Sequence, residues 1–357
     1  MFAKGRITTT GDVFRDEKSL AFDGSNDYIA IPETTYDIDG GTVSFTFWIK
    51  ILDNSVQNLV MSANPNFKNI NMHSNGTMYI ETNTNEDAAS APFTQDNNWH
   101  HYAITCSSGT VAMYEDGKAL AMGDNTVTDD ITFLRISSST SKPFNGNISE
   151  IAIYNCTLSA NQVKTIYNGR EPYNHKEGVA SGNLTSWYRM GDGIIDRIGK
   201  NAHTNTGAIA DMSNYTLGTD VLGGKGDFSD ASYWTITSGQ SIVESNVGKF
   251  LGNGSYGVIQ KSSVLTANKI YLAKVTCSAN AGAPVHFNFG DPFPQIIPDN
   301  ETGEFSICFV AGNTNVILYA TTYNEAVTID NLTIQEVGGN AGAMINMAVD
   351  DFEGDTP

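Results

Sequence analysis

Residues 144–169 read FNGNISEIAIYNCTLSANQVKTIYNG, a turn, then a strand, then one short helix. Ile148, Ile151, Ile153 and Tyr154 are strand formers, and the run breaks at 155–157. Ser159 takes the helix N-cap position, with Gln162 three residues on, which is the spacing of a capping box. Leu158 and Val163 supply the matching hydrophobic staple, and Gly169 ends the helix. The rest of the chain reads as almost entirely β, so this is one short, well-capped helix in a strand-rich sequence.

Outward from this stretch, alternation dominates. In GTVSFTFWIK (41–50), Val43, Phe45, Phe47 and Ile49 share one face, while Ser44, Thr46, Trp48 and Lys50 share the other. This predicts a half-buried strand whose second face looks to water or a partner, with Trp48 packed under a loop or set in a contact surface. Turn pairs such as Asp23-Gly24, Asn75-Gly76, Asp116-Gly117 and Asn145-Gly146 punctuate the strands. The fold class is all-β: two antiparallel jelly-roll sandwiches, one short capped helix and an extended C-terminal tail.

SLAFDGSNDYIAIP (19–32), GTVSFTFWIK, WHHYAITCSSGTVAMYEDGKAL (99–120) and the closing segment follow one another as in the laminin-G/pentraxin-like family of concanavalin A-like jelly rolls, which the first half of the chain resembles. That likeness implies a fold rather than an activity. LTSWYRM (184–190) reads as one more strand of this unit, and the segment to Met212 resembles the family's peripheral turns. From Gly226, the pieces GDFSDASYWTITSG, VLTANKIYLAKVTCSANAG, EFSICFVAG and AVTIDNLTIQEV resemble carbohydrate-binding modules with a galactose-binding-like jelly roll. The expected organisation is an N-terminal arm (1–16), a laminin-G-like sandwich (17–217), a Gly-rich joint, a second jelly roll (226–337) and an acidic tail (338–357). In the last strand the apolar phase slips at Asp330-Asn331, which predicts a β-bulge.

The 357 residues carry 39 acidic and 20 basic side chains, a formal net charge of −19. Such a surface has no means to release the counterions of a nucleic acid, so no nucleic-acid partner is expected. No stretch approaches the roughly 20 apolar residues of a membrane span, and MFAKGRITTTGD lacks the apolar core of a secretory signal. Four cysteines are too few for a disulfide framework. Free thiols are expected, with a bridge between Cys277 and Cys308 left open.

Catalytic signatures are missing. Retaining glycosidases of this fold carry paired carboxylates two residues apart on a strand, whereas Glu150 in ISEIAIY has no acid at 148 or 152. No GxSxG, CxxC or HExxH occurs, and His100 and His101 read as structural residues of the WHH segment. The chain is therefore read as a non-enzyme that requires no cofactor. The family resemblances do imply structural calcium, held in the first unit by Asp23, Asn26 and Asp27 and in the second by Asp227 and Asp330. A pentraxin-type double site is not implied, because Ser137 and Ser138 stand where its acidic loop would fall. Sugar binding needs aromatic rings beside polar groups, and Tyr233, Tyr256, Tyr319 and Tyr323 are the candidates in the second unit, with Trp234 assigned to its core.

The two lectin-like units together with the C-terminal run AMINMAVDDFEGDTP resemble virion proteins of tailed bacteriophages. The resemblance implies a structural protein of the virion surface (head decoration, fibre or tail component), assembled in the host cytoplasm. Its partners would be other virion proteins, further copies of itself and a host-surface glycan. The alternatives are a bacterial glycan-binding protein and a diverged glycoside hydrolase. Met344, Ile345, Met347 and Phe352 mark the tail as an assembly element. Burying the first three contributes about 1.5–3 kcal/mol each. Ordering some twenty residues costs about 1–2 kcal/mol apiece, so backbone pairing is also needed. The expected acceptor is a neighbouring subunit or another virion protein.

Overall fold

The computed structural model describes residues 16–357 except 54, 56–57, 65–66, 83–87, 139–141, 172, 193–207, 210, 237–238, 252–255, 289–294, 298–299, 321–325, 346 and 348–350. The N-terminal arm to residue 15, the peripheral segment 193–207 and Tyr323 lie outside the described residues.

Two antiparallel sheets face each other in the first unit. The helix-side sheet runs Lys118–Ala119, Thr110–Glu115, His100–Ser107, Thr42–Ile51, Asn145–Tyr154, Ser19–Asp23, Phe352–Glu353, with Leu184–Tyr188 also on Asn145–Tyr154. The open-side sheet runs Ala208–Ile209, Gly342–Ile345, Tyr28–Tyr36, Ile131–Ser137, Asn58–Asn64, Phe67–His73, Thr77–Glu81, Ala89–Pro92. Phe45, Phe47, Phe133, Phe144, Ile70 and Ile148 fill the space between them.

Thr42–Ile51 is buried on both faces, which departs from the half-exposed strand expected. Its second face lies under the helix Ala160–Tyr167, which places Val163 and Ile166 on Ala103, Ala152, Tyr154 and Trp187. Trp48 packs between His101 (5.2 Å) and Tyr167 (5.7 Å). The capping box is formed: the Ser159 hydroxyl accepts from Gln162 N, and Ser159 N donates to Gln162 Oε1 at 2.9 Å. Asn168 already turns left-handed (φ 50°), so the stop begins one residue before Gly169.

The C-terminal segment corrects the assembly reading. Gly342–Ile345 pairs with both Tyr28–Tyr36 and Ala208–Ile209, and Phe352–Glu353 pairs with Ser19–Asp23. Met344 and Met347 are 0% exposed in the first unit's own core, and Phe352 packs against it, so these residues are committed within the chain. The pairing that a Met-Ile-Met cluster needs comes from two strands of the same molecule. The geometry follows from the second unit, whose two ends are brought together where Thr216 pairs with Gly338. The chain therefore returns beside the point it left and completes the sandwich it began. Asp355 fastens the end, accepting from Trp99 Nε1 and pairing with Lys50.

The second unit has its own core, with Trp234 stacked on Phe228 (5.1 Å, 29°) among Phe250, Phe287, Phe309 and Ile329. One sheet runs Ser241–Glu244, Val247–Phe250, Val327–Gly338, Ile270–Asn280, Gly303–Val310, with Thr216–Asp220 also on Val327–Gly338. The other runs Thr235–Ile236, Gly257–Lys261, Val316–Ala320, Val285–Asn288, Gln295–Ile297. The bulge is present: Lys274 faces Thr333 but Thr276 faces Asp330, with Asn331 at φ 52°. Met212, Tyr215, Leu217, Leu272, Val337 and Ala341 form a separate apolar cluster where the chain passes between the units. Cys277 faces Gly303 while Cys308 faces Leu272, and all four cysteines are free.

Candidate functional site

The outer face of the second unit's Gly257–Lys261 sheet carries two partly exposed rings, Tyr319 and His286, and the exposed Tyr256. Alternation sends Ile259, Leu318, Val285 and Phe287 into the core and leaves the intervening residues outside. The register then aligns Val258, Tyr319, His286 and Gln295 in one row, with Gln260, Ile317 and Asn288 in the next. Tyr319 and His286 stack with centroids 5.3 Å apart and planes 20° from parallel. Tyr256 directly precedes Gly257, which pairs with Ala320, and so falls two residues from Val258, the strand partner of Tyr319. Burial, and then the Tyr256 phenol, raise the Tyr319 pKa. Tyr256 itself is 51% exposed. The result is an aromatic shelf rimmed by amides.

Of the sequence candidates, Tyr256 and Tyr319 are brought together. Tyr233 is not with them, because it lies edge-on to Trp234 (5.3 Å, 79°) with Lys261 Nζ 4.1 Å from its ring centre. His286 was missed. The alternating VHFN pattern marks it as outward-facing, but only the pairing of distant strands sets it against Tyr319.

The calcium candidates act as turn and bulge formers. Asp23 Oδ1 accepts from Ser25 N and Asn26 N, and Asp27 Oδ2 accepts from Asp23 N. Burial pushes the Asp27 carboxyl up to about 7, with the charges of Asp23 and Asp351 acting in the same direction. Asp227 caps Ser229, and Asp330 accepts from Asn331 N. Among the described residues, the place where three carboxylates converge is instead Asp37, Asp39 and Asp130, whose oxygens lie within 4.8 Å of one another. Burial, then Asp39 and Asp37, raise the Asp130 pKa, as neighbouring carboxylates repel one another.

Glu150 gains acidic neighbours that strand spacing did not reveal. Its pKa is pushed up to about 7 by burial, against the lowering effect of Arg189, whose Nε lies 3.0 Å away. Asp16 is raised further, to about 9, by burial and then by Glu150 and Asp192. The adjoining hollow of about 10 Å³, lined by Trp48, Tyr173, His175 and Pro357, is about the size of one water. His100 bridges Asp96 (3.0 Å) and Asp116 (3.1 Å), and burial holds His101 neutral with its pKa pushed down to about 4.

Residues 23–164 match the family profile of the concanavalin A-like lectin/glucanases superfamily. No curated protein matches the chain significantly. Among solved structures it is similar to a putative carbohydrate binding protein from Bacteroides ovatus (18% identity, 56% of each chain, TM-score 0.41). It is also similar to domain 4 of AbnA, a GH43 extracellular arabinanase from Geobacillus stearothermophilus in complex with arabinotriose (19% identity, 42% of this chain and 76% of that one, TM-score 0.34). A third is the Trypanosoma rangeli sialidase (12% identity, 42% and 32%, TM-score 0.29). The match thus spans about half the length of the first of these proteins.

Proposed function

We propose that this chain is a non-catalytic glycan-binding protein whose ligand lies on the shelf of Tyr256, Tyr319 and His286. The observation that carries this is the partly exposed, nearly parallel Tyr319–His286 stack on the sheet face that also carries the half-exposed Tyr256. Sugars offer one apolar face to such rings and their hydroxyls to flanking amides, here Gln260 and Asn288. The lectin/glucanase profile over residues 23–164 supports the same class for the first unit. The non-catalytic part of the reading is supported by the small hollow, about 10 Å³, beside Glu150 and Asp16. A glycan array probed with the full chain, read beside a hydrolysis assay on the glycans it selects, tests both halves. Retention without turnover is expected, and turnover lost in Glu150→Gln would refute the non-catalytic half.

The finer reading places the protein on the surface of a tailed-bacteriophage virion, as a head decoration, fibre or tail component that holds a host glycan. The sequence's likeness to such proteins supports it. The C-terminal segment no longer does, because its apolar residues are buried in the chain's own first unit. Mass spectrometry of purified particles decides it, and absence from every virion fraction would leave the bacterial glycan-binding alternative.

A further inference from the structure

We propose that a cleft at one end of the first sandwich binds a primary ammonium group carried on a short alkyl chain. The cleft, of about 380 Å³, opens where the turn 37–41 takes the chain from Tyr28–Tyr36 in the open-side sheet to Thr42–Ile51 in the helix-side sheet. Tyr36 walls it from the first sheet, and Val43, Tyr154 and Ser186 wall it from the second. Asn340 completes the lining and is reached only after the chain has passed through the second unit. This site shares no residue with the aromatic shelf, so neither proposal depends on the other.

The walls define the body of the guest. Val43 is aliphatic, and the Tyr36 ring is held edge-on to Phe45 at 5.2 Å. The hydroxyls around them are largely committed within the protein. Thr35 Oγ1 bonds Thr132 Oγ1 at 2.9 Å, and Thr185 Oγ1 donates to the Ile153 carbonyl at 3.1 Å. Burial, and then the charge of Asp211, push the Tyr36 phenol up to about 12, so it stays neutral. Such walls suit an alkyl chain better than a body that must hydrogen-bond at every carbon.

The charge defines its head. Among the described residues that line the cleft, Asp37 alone is charged. Its Oδ1 accepts from Gly40 N at 2.8 Å and Gly41 N at 2.7 Å. A Cβ on Gly41 would stand 2.8 Å from the Asp37 carbonyl oxygen and 2.9 Å from its Cγ, so the turn closes tightly on this carboxylate and fixes it. Asp39 and Asp130 bring oxygens within 4.8 Å of it. Among the described residues, the lysines and arginines that form ion pairs do so elsewhere and leave all three acids without a cation. A cation relieves their mutual repulsion, whereas a carboxylate or phosphate would add to it. An ammonium also offers three donors to the free carboxylate oxygens. A bare metal ion would use the acids and leave the apolar cleft beside them unfilled, whereas an alkylammonium uses both.

The test titrates the full chain by saturation-transfer NMR in a buffer free of amines. The probes are n-butylammonium, cadaverine and Nα-acetyl-L-lysine methylamide, with 1-butanol as the uncharged counterpart and butyrate as the anionic one. The ammonium probes are expected to bind at least about tenfold more tightly than 1-butanol, with butyrate silent. Tighter binding of the lysine derivative would identify a protein side chain as the source of the group, and tighter binding of cadaverine a free amine. Asp37→Asn keeps the Oδ1 that Gly40 N and Gly41 N require while removing the charge. It is expected to weaken the ammonium probes about tenfold and to leave 1-butanol unchanged. Should thermal melting show that Asp37→Asn is unfolded, Thr42→Trp at the exposed rim replaces it and is expected to abolish binding by filling the cleft. Silence from every ammonium probe would leave the acids to an inorganic cation. That result, affinity no better than that of 1-butanol, or binding indifferent to the folded variant used would each overturn the proposal.

Discussion

His100 shows how much a single side chain governs in the first unit. It is held by Asp116 and Asp96, with Glu115 3.6 Å away, and these acids push its pKa up to about 9, the Asp116 hydrogen bond contributing most. A histidine whose folded pKa lies above its unfolded value of 6.5 stabilises fully below that value, and its contribution is lost as pH rises toward 9. The buried acids Asp16 and Glu150 act with the same sign, since their raised pKa values leave the folded state holding protons that the unfolded chain releases. The midpoint of thermal unfolding is therefore expected to fall between pH 6.5 and 9. His100→Gln should flatten that slope, and an unchanged slope would show that His100 is not the group concerned. The structural role of the WHH segment was legible in sequence because tryptophan and histidine open a strand there. Asp96 and Asp116 were not legible as its partners, because a turn and a neighbouring strand bring them in. Tyr319 and His286 repeat the lesson: each reads as outward-facing, and only register makes them a stack.

At the scale of elements, local signals were read correctly and distant pairings were not. The helix Ala160–Tyr167 announces itself through Ser159 and Gln162, which hydrogen-bond to each other and to each other's backbone. Ser159→Ala should lower stability by about 0.5–2 kcal/mol, seen as a lower denaturant midpoint with an unchanged slope. An unchanged midpoint would mean that the helix is held by its packing on Trp48 and Trp187 alone. The bulge at Asn331 was legible for the same reason, because a phase slip is written along one strand. Gly342–Ile345 carries no such mark. Four residues with one methionine give no period, and their partners lie more than a hundred residues away in the chain, at Tyr28–Tyr36 and Ala208–Ile209. Because Met344 is fully enclosed there, Met344→Ala should cost about 2–5 kcal/mol, far more than a surface tail residue would. Calorimetric unfolding of that variant checks this, and a loss below the range would return the segment to the role of a passenger.

In the whole molecule, the second jelly roll interrupts the first, and the chain must pass through both before the first sandwich closes. Removing residues 340–357 should therefore unfold the first unit while the second keeps its own core of Trp234, Phe250 and Ile329. Limited proteolysis of the truncated protein is expected to spare a fragment beginning near Thr216, and equal protection of both units would contradict this. The acidic surface and the absence of paired strand carboxylates were enough to turn the sequence reading away from nucleic acids and hydrolysis. The proposed aromatic shelf itself arises only when strands from across the second unit are set side by side. The central claim, a glycan held on the second unit's aromatic shelf, is tested most directly by calorimetric titration of the glycan that the array selects into wild-type protein and into Tyr319→Ala. The variant is expected to bind at least about tenfold more weakly with its thermal midpoint unchanged, whereas equal affinity in the two proteins would contradict it.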